Sequence, residues 1–91
     1  MDRIVREVTV RNRAGIHTRP ASMIVRAAAK YGAEFFIEKD HYKINGKSII
    51  GVMTLAAEQG SSLRLVFSGA DAENAAEEIV KLFDDGFGEE L

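Results

Sequence analysis

Within the stretch Gly15-Ile16-His17-Thr18-Arg19-Pro20, a histidine and an arginine stand two residues apart, directly before an alanine-rich run. Helix starts favour Ser, Thr, Asp or Asn, whose short side-chain oxygen accepts from exposed backbone N–H groups. An imidazole does that job poorly. The start of a helix, however, gathers unpaired N–H donors at the positive end of the helix dipole, and such a place holds phosphate or carboxylate. Arg19 adds a guanidinium that forms charge-assisted, bidentate bonds to anionic oxygens. A neutral imidazole beside these donors carries the lone pair a nucleophile needs, and the donors match the charge that spreads over a transferring phosphoryl group. On residue type alone two readings stay open: a polar residue at a loop–helix junction, or a phosphoryl-accepting His17. No Asp, Glu or second His lies near His17 in the sequence to act as a base, so a hydrolytic triad has little support.

The elements around His17 follow from periodicity. From Thr18 to Tyr31, Ala21, Ile24, Val25, Ala28 and Ala29 recur at helical spacing opposite Arg19, Ser22, Arg26 and Lys30, which predicts an amphipathic helix closed by Gly32. Pro20 falls in its first turn, where its missing N–H would have had no intrahelical partner, so it fixes the helix start without breaking the ladder. Residues 4–10 alternate as a strand, with Arg6 interrupting its inner face, and the segments 33–39 and 42–45 form a hairpin about Asp40 and His41. His41 is a turn residue without a role. Residues 62–68, SLRLVFS, alternate as a fourth strand.

A second helix is predicted from Ser48 as N-cap to Gly60, weakened inside by Gly51. A third opens at Asp71 and carries Ala72, Ala75, Ala76, Ile79, Leu82 and Phe83 as its apolar stripe, before DDGFGEEL frays into an acidic tail. The order is βαββαβα. Four strands and three helices, each with one apolar side, bury both sets only when the helices stack on one face of the sheet, giving a two-layer α+β sandwich.

Composition narrows the classes. The 91 residues, 46% of them hydrophobic, suffice for one domain over 1–91 with a single core. Lys and Arg (12) interleave with Asp and Glu (14) for a net charge of -2, so there is no basic face for nucleic acid or an anionic membrane. No apolar run is long enough to span a bilayer, and the charged start differs from a signal peptide, which points to the cytoplasm. Without cysteine, and with two histidines far apart, no metal site or other cofactor is assigned. A monomer is expected.

GIHTRPAS, followed by NGKSIIGVMTLAAEQG, resembles the HPr family, the histidine-containing phosphocarriers of the phosphoenolpyruvate-dependent phosphotransferase system. The resemblance covers nearly the whole chain in matching order. It implies an open-faced β-sandwich: a four-stranded antiparallel sheet covered on one side by three helices. It implies that His17 takes a phosphoryl group at Nδ1 from phosphorylated Enzyme I and passes it to IIA-type domains. Arg19 would stabilise that group, Pro20 would hold the helix start, and Thr18 would contribute backbone only. The protein would be a carrier with a phosphohistidine intermediate rather than a free-standing enzyme.

The resemblance also marks Ser48, which on residue type alone is simply a favoured N-cap, as a regulatory serine phosphorylated by HPr kinase/phosphorylase. About −1.5 to −2 added charges are tolerated at a helix start, so the consequence falls on docking rather than on the fold. The short second helix holds more apolar residues than one buried side needs, leaving Ile49, Ile50 and Met53 as a partner patch or as core. By resemblance that patch lies beside His17; Arg26, on the outer face of the first helix, is a further candidate contact or simply a solvated arginine. A transcriptional regulator that reads serine-phosphorylated relatives is the partner carried over least, because Gly46 stands where those relatives have a bulky aliphatic residue. Gly46 and the acidic end leave an alternative: a regulatory HPr-like interaction module of an incomplete phosphotransferase system, not coupled to sugar uptake. A generic small α+β ligand-binding domain is the third reading.

Overall fold

The structure, a computed structural model, describes residues 3–91. In chain order it contains β1 (Arg3–Thr9), α1 (Thr18–Ala28), β2 (Glu34–Lys39), β3 (Tyr42–Asn45), α2 (Ile49–Thr54), β4 (Ser62–Ser68) and α3 (Ala72–Asp84). The strands pair antiparallel in the order β1-β4-β2-β3, so the first strand of the chain lies beside the last. Register aligns Val8 with Leu63, Ile37 with Leu65 and Phe35 with Phe67. Because side chains alternate across a strand, these residues share the covered face. There they pack with Ile24 of α1, Val52 of α2 and Ile79 and Phe83 of α3. Phe35 and Phe67 stack with centroids 4.5 Å apart. Full burial of a side chain such as Ile24 is worth about 1.5–3 kcal/mol, which fixes α1, and with it His17, against the sheet. This is the two-layer α+β sandwich expected from the periodicities, in the open-faced form that the resemblance implies.

Two helix ends and one cap differ from the periodic pattern, each for a physical reason. α1 ends at Ala28 rather than Tyr31, because the N–H groups of Lys30 and Tyr31 bond three residues back to Ala27 and Ala28 (3.2 and 3.1 Å), tightening the turn. Ala29 is therefore exposed and Ala27 takes its place in the core. α2 stops at Thr54, well before Gly60, since Ala56 adopts φ 48° and swings the chain so that the Ala57 carbonyl accepts from Ile16 N–H at 2.9 Å. Asp71 precedes α3 as predicted but does not cap it with its side chain. Its carboxylate instead accepts from Gly32 and Ala33 N–H, each at 2.8 Å, tying the end of α1 to the start of α3.

The larger correction is the C-terminus. Residues 85–91 do not fray. Gly86–Gly88 form a tight turn in which Phe87 takes φ 56° and is buried, its ring edge-on to Phe83 with centroids 5.0 Å apart. Glu90 then accepts from Arg13 N–H through its carbonyl at 2.8 Å, and its carboxylate pairs with the Arg13 guanidinium at 3.1 Å. The tail is a strap laid back across the loop that precedes α1. No helix among the described residues is long and apolar enough to cross a membrane.

Candidate functional site

The loop between β1 and α1 is built around two residues. Gly15 has φ 73°, and a Cβ there would lie 2.7 Å from the Ala57 carbonyl oxygen, so only glycine lets the loop close on the segment after α2. Asn12 is fully buried, and its Nδ2 donates both to the Gly15 carbonyl at 2.8 Å and to Glu89 Oε1 at 2.9 Å. Among the described residues its Oδ1 has no hydrogen-bond partner. These contacts deliver His17 to the N-cap of α1 in an extended conformation.

The four donors that open α1 can be counted. His17 N–H bonds to the Gly15 carbonyl at 3.1 Å, and Pro20 has no N–H. Among the described residues the N–H groups of Thr18 and Arg19 have no hydrogen-bond partner, and His17 makes no side-chain cap. Two backbone donors thus stay open at the positive end of a helix, beside an imidazole whose side chain is 43% exposed.

The residue that sequence reasoning missed is Glu89. Its carboxylate, with a side-chain exposure of 17%, lies against His17 Nε2 at 2.9 and 2.8 Å and accepts from Arg19 Nη1 at 2.8 Å, in addition to Asn12. Arg19 Nη1 also donates to the Phe87 carbonyl at 2.9 Å. The hydrogen bond from His17 above all, then those from Asn12 and Arg19, holds the Glu89 carboxyl below the usual carboxylate range, against the opposing effect of partial desolvation. Glu89 lies 72 positions from His17. The available signal was Gly86-Phe87-Gly88, an aromatic between two glycines, which marks a tight turn with a buried side chain rather than a fraying end.

The second predicted site is separate in character. Ser48 is the N-cap of α2, its Oγ accepting from Gly51 N–H at 3.1 Å. Ile49, Ile50 and Met53 are exposed, Ile50 most of all at 74%, while Val52 of the same helix is buried. Arg26 is exposed on α1. The bond from Ile16 to Ala57 draws the segment after α2 to the residue before His17. Gly46 also has a physical reason: a Cβ at this buried position would overlap the Phe35 ring.

An open helix start carrying an accessible imidazole and a guanidinium, on a two-layer α+β scaffold, has the chemistry to hold an anionic group at the surface. The profile of the family described as "PTS HPr component phosphorylation site" matches residues 4–85, and the chain belongs to this family of phosphocarrier proteins of the phosphotransferase system. The phosphocarrier protein HPr of Treponema pallidum is 45% identical over 87 residues, covering 96% of this chain and 99% of the relative. The crystal structure of HPr-C-His from Thermoanaerobacter tengcongensis superposes with a TM-score of 0.89 at 38% identity, covering all of both chains. Crh of Bacillus subtilis, 35% identical with a TM-score of 0.70 over 94% of this chain and 95% of that one, is described as a dimer with a swapping domain. The dimer of this relative stands against the expectation of a monomer.

Proposed function

We propose that this chain carries phosphoryl groups in the cytoplasm: His17 Nδ1 accepts from phosphorylated Enzyme I and donates to IIA-type domains. The carrying observation is the pair of unpartnered N–H groups of Thr18 and Arg19 beside an accessible imidazole. Open backbone donors at a helix start suit the equatorial oxygens of a phosphoryl group on the ring. Arg19 is the stabilising cation. Pro20 is buried and sets the helix start that aims these donors.

Docking is assigned to Ile49, Ile50 and Met53, an exposed apolar patch on α2, with Arg26, exposed on α1, as a further contact. Ser48, at the edge of that patch, is the regulatory position for HPr kinase/phosphorylase. A dianion there would sit at a helix start without disturbing the core, and would be costly to desolvate against an acidic partner surface. The regulatory-module alternative draws on the same half-buried Ser48 and the exposed patch beside it; it predicts serine phosphorylation without onward transfer from His17.

The test is incubation with Enzyme I and phosphoenolpyruvate. The expected product is an acid-labile, base-stable phosphoprotein that is absent in His17→Ala and passes its label to a IIA domain. Absence of label in the wild-type protein refutes the carrier reading. Label that forms but is not passed on to any IIA domain favours the regulatory one.

A further inference from the structure

We infer that Glu89 is a positioning residue for His17: from the C-terminal strap its carboxylate fixes the hydrogen on Nε2 and so presents Nδ1 as the nucleophilic atom. This deepens the carrier reading and rests on it for the consequence at Nδ1, but the geometry behind it is independent of any partner.

Both carboxylate oxygens lie within 2.9 Å of Nε2, and the same carboxylate accepts from Asn12 Nδ2 and Arg19 Nη1. An ionised carboxylate has no hydrogen to give, so in a contact this short Nε2 must be the donor. A neutral imidazole that carries its hydrogen on Nε2 has its lone pair on Nδ1. Among the described residues no hydrogen bond engages Nδ1. The carboxylate therefore selects the reactive atom while leaving it unobstructed.

The chemistry of transfer gives the same residue a second effect. As the Nδ1 lone pair attacks, the N–P bond forms and the donor's bond to phosphorus breaks, its electron pair leaving with the donor. The proton on Nε2 stays in place, so the ring acquires positive charge shared between its two nitrogens. Glu89 faces that charge directly, in a position fixed before the reaction begins. Its aim is held by Asn12, which is fully buried and cannot turn away, and by Phe87, buried two residues earlier in the strap. Arg19 is shared: its Nη1 bonds to Glu89 and the Phe87 carbonyl in this state, and the same guanidinium is the proposed partner of the phosphoryl oxygens. The carboxylate thus holds both the nucleophile and the cation in place.

The test uses the whole chain labelled with nitrogen-15 at histidine, in the wild-type protein and in Glu89→Gln, which keeps the size of the side chain and removes its charge. Long-range proton–nitrogen correlation under conditions where His17 is neutral reads the two ring nitrogens directly. The expected wild-type ring carries its hydrogen on Nε2 alone. Glu89→Gln and Glu89→Ala shift the ratio of the two tautomers at least about tenfold toward Nδ1–H, a change of about 1.4 kcal/mol. In parallel, the rate of labelling by Enzyme I falls at least about tenfold in both variants and recovers in part in Glu89→Asp. A ratio that is the same in wild type and Glu89→Gln overturns the inference, as does a wild-type ring protonated on Nδ1. The nuclear magnetic resonance measurement needs no phosphoryl donor. Failure of wild-type labelling would refute the carrier reading, whereas an unchanged tautomer ratio in a protein that labels normally would refute this one.

Discussion

Replacing Phe87 tests the strap as a structural element. Phe87 is buried between Gly86 and Gly88 and packs edge-on against Phe83, so truncating it to alanine removes a core aromatic. Phe-to-Ala changes in cores cost about 3–5 kcal/mol, and each kcal/mol lowers the melting temperature of a chain this size by about 4–8 °C. The expected fall is therefore about 12 °C or more, unless the strap detaches first. In that case the loss is limited to the free energy of docking the strap, and His17 loses Glu89. A second substitution separates side chain from backbone. Phe87 has φ 56°, a left-handed conformation that costs a residue with a Cβ about 1–2 kcal/mol and glycine nothing. Glycine's greater unfolded-state entropy works against it by about 0.5–1 kcal/mol. Phe87→Gly should thus be the more stable of the two by about 0.5–1 kcal/mol, the reverse of the usual order. Thermal and urea denaturation followed by circular dichroism measure both. A melting temperature within about 4 °C of wild type for Phe87→Ala, with the His17 signals unmoved, would refute the packing argument; Phe87→Ala outlasting Phe87→Gly would refute the backbone argument.

Four further outcomes follow from the same geometry. Glu89 has a carboxyl held below its ordinary value in the folded state, so its contribution is present above the unfolded value of about 4.3 and is lost as pH falls through the folded one; the acid limb of a stability–pH curve should be shallower in Glu89→Gln. Glu78, whose carboxyl is lowered by hydrogen bonds from Lys30 and then Tyr31, contributes in the same direction and should leave part of the slope in that variant. Gly46→Leu should lose about 1–3 kcal/mol by forcing a side chain into the Phe35 ring, and combining it with Phe35→Ala should cost less than the two changes summed, as read from urea midpoints. Ser48→Ala should lose about 1 kcal/mol through the cap to Gly51, visible as faster amide exchange in α2, whereas Ser48→Asp should keep the fold and slow labelling of His17 by Enzyme I about tenfold. Unchanged labelling in Ser48→Asp would remove the docking argument. Finally, phosphorylating His17 should slow amide exchange at Thr18 and Arg19, the two open donors, and leave Ala21 unchanged, because Ala21 N–H is already bonded to the His17 carbonyl at 3.0 Å.

What could be read from the sequence was what repeats along it. The alternation of Leu63, Leu65 and Phe67 places β4 at Ser62–Ser68, and the hairpin about Asp40 and His41 falls where the turn pair stands, with Asp40 in the positive-φ conformation that a tight turn requires. Helix ends were less legible because they are set by bonds to distant partners. α2 yields its last turns so that Ala57 can meet Ile16, and Asp71 serves the end of α1 rather than its own helix. The placement of the histidine was legible because its reasons are local: a proline in the first turn puts it at the N-cap, and it stands there in an extended conformation. Its carboxylate was not, because an acidic C-terminal segment has the composition of a solvated tail and only the fold shows that Phe87 anchors it. The distinction bears on how the site works. Glu89 satisfies the ring and the guanidinium but neither backbone donor, so the proposed anion site at the start of α1 is only half engaged: its imidazole and guanidinium are held, and among the described residues the N–H groups proposed to receive phosphoryl oxygens have no partner.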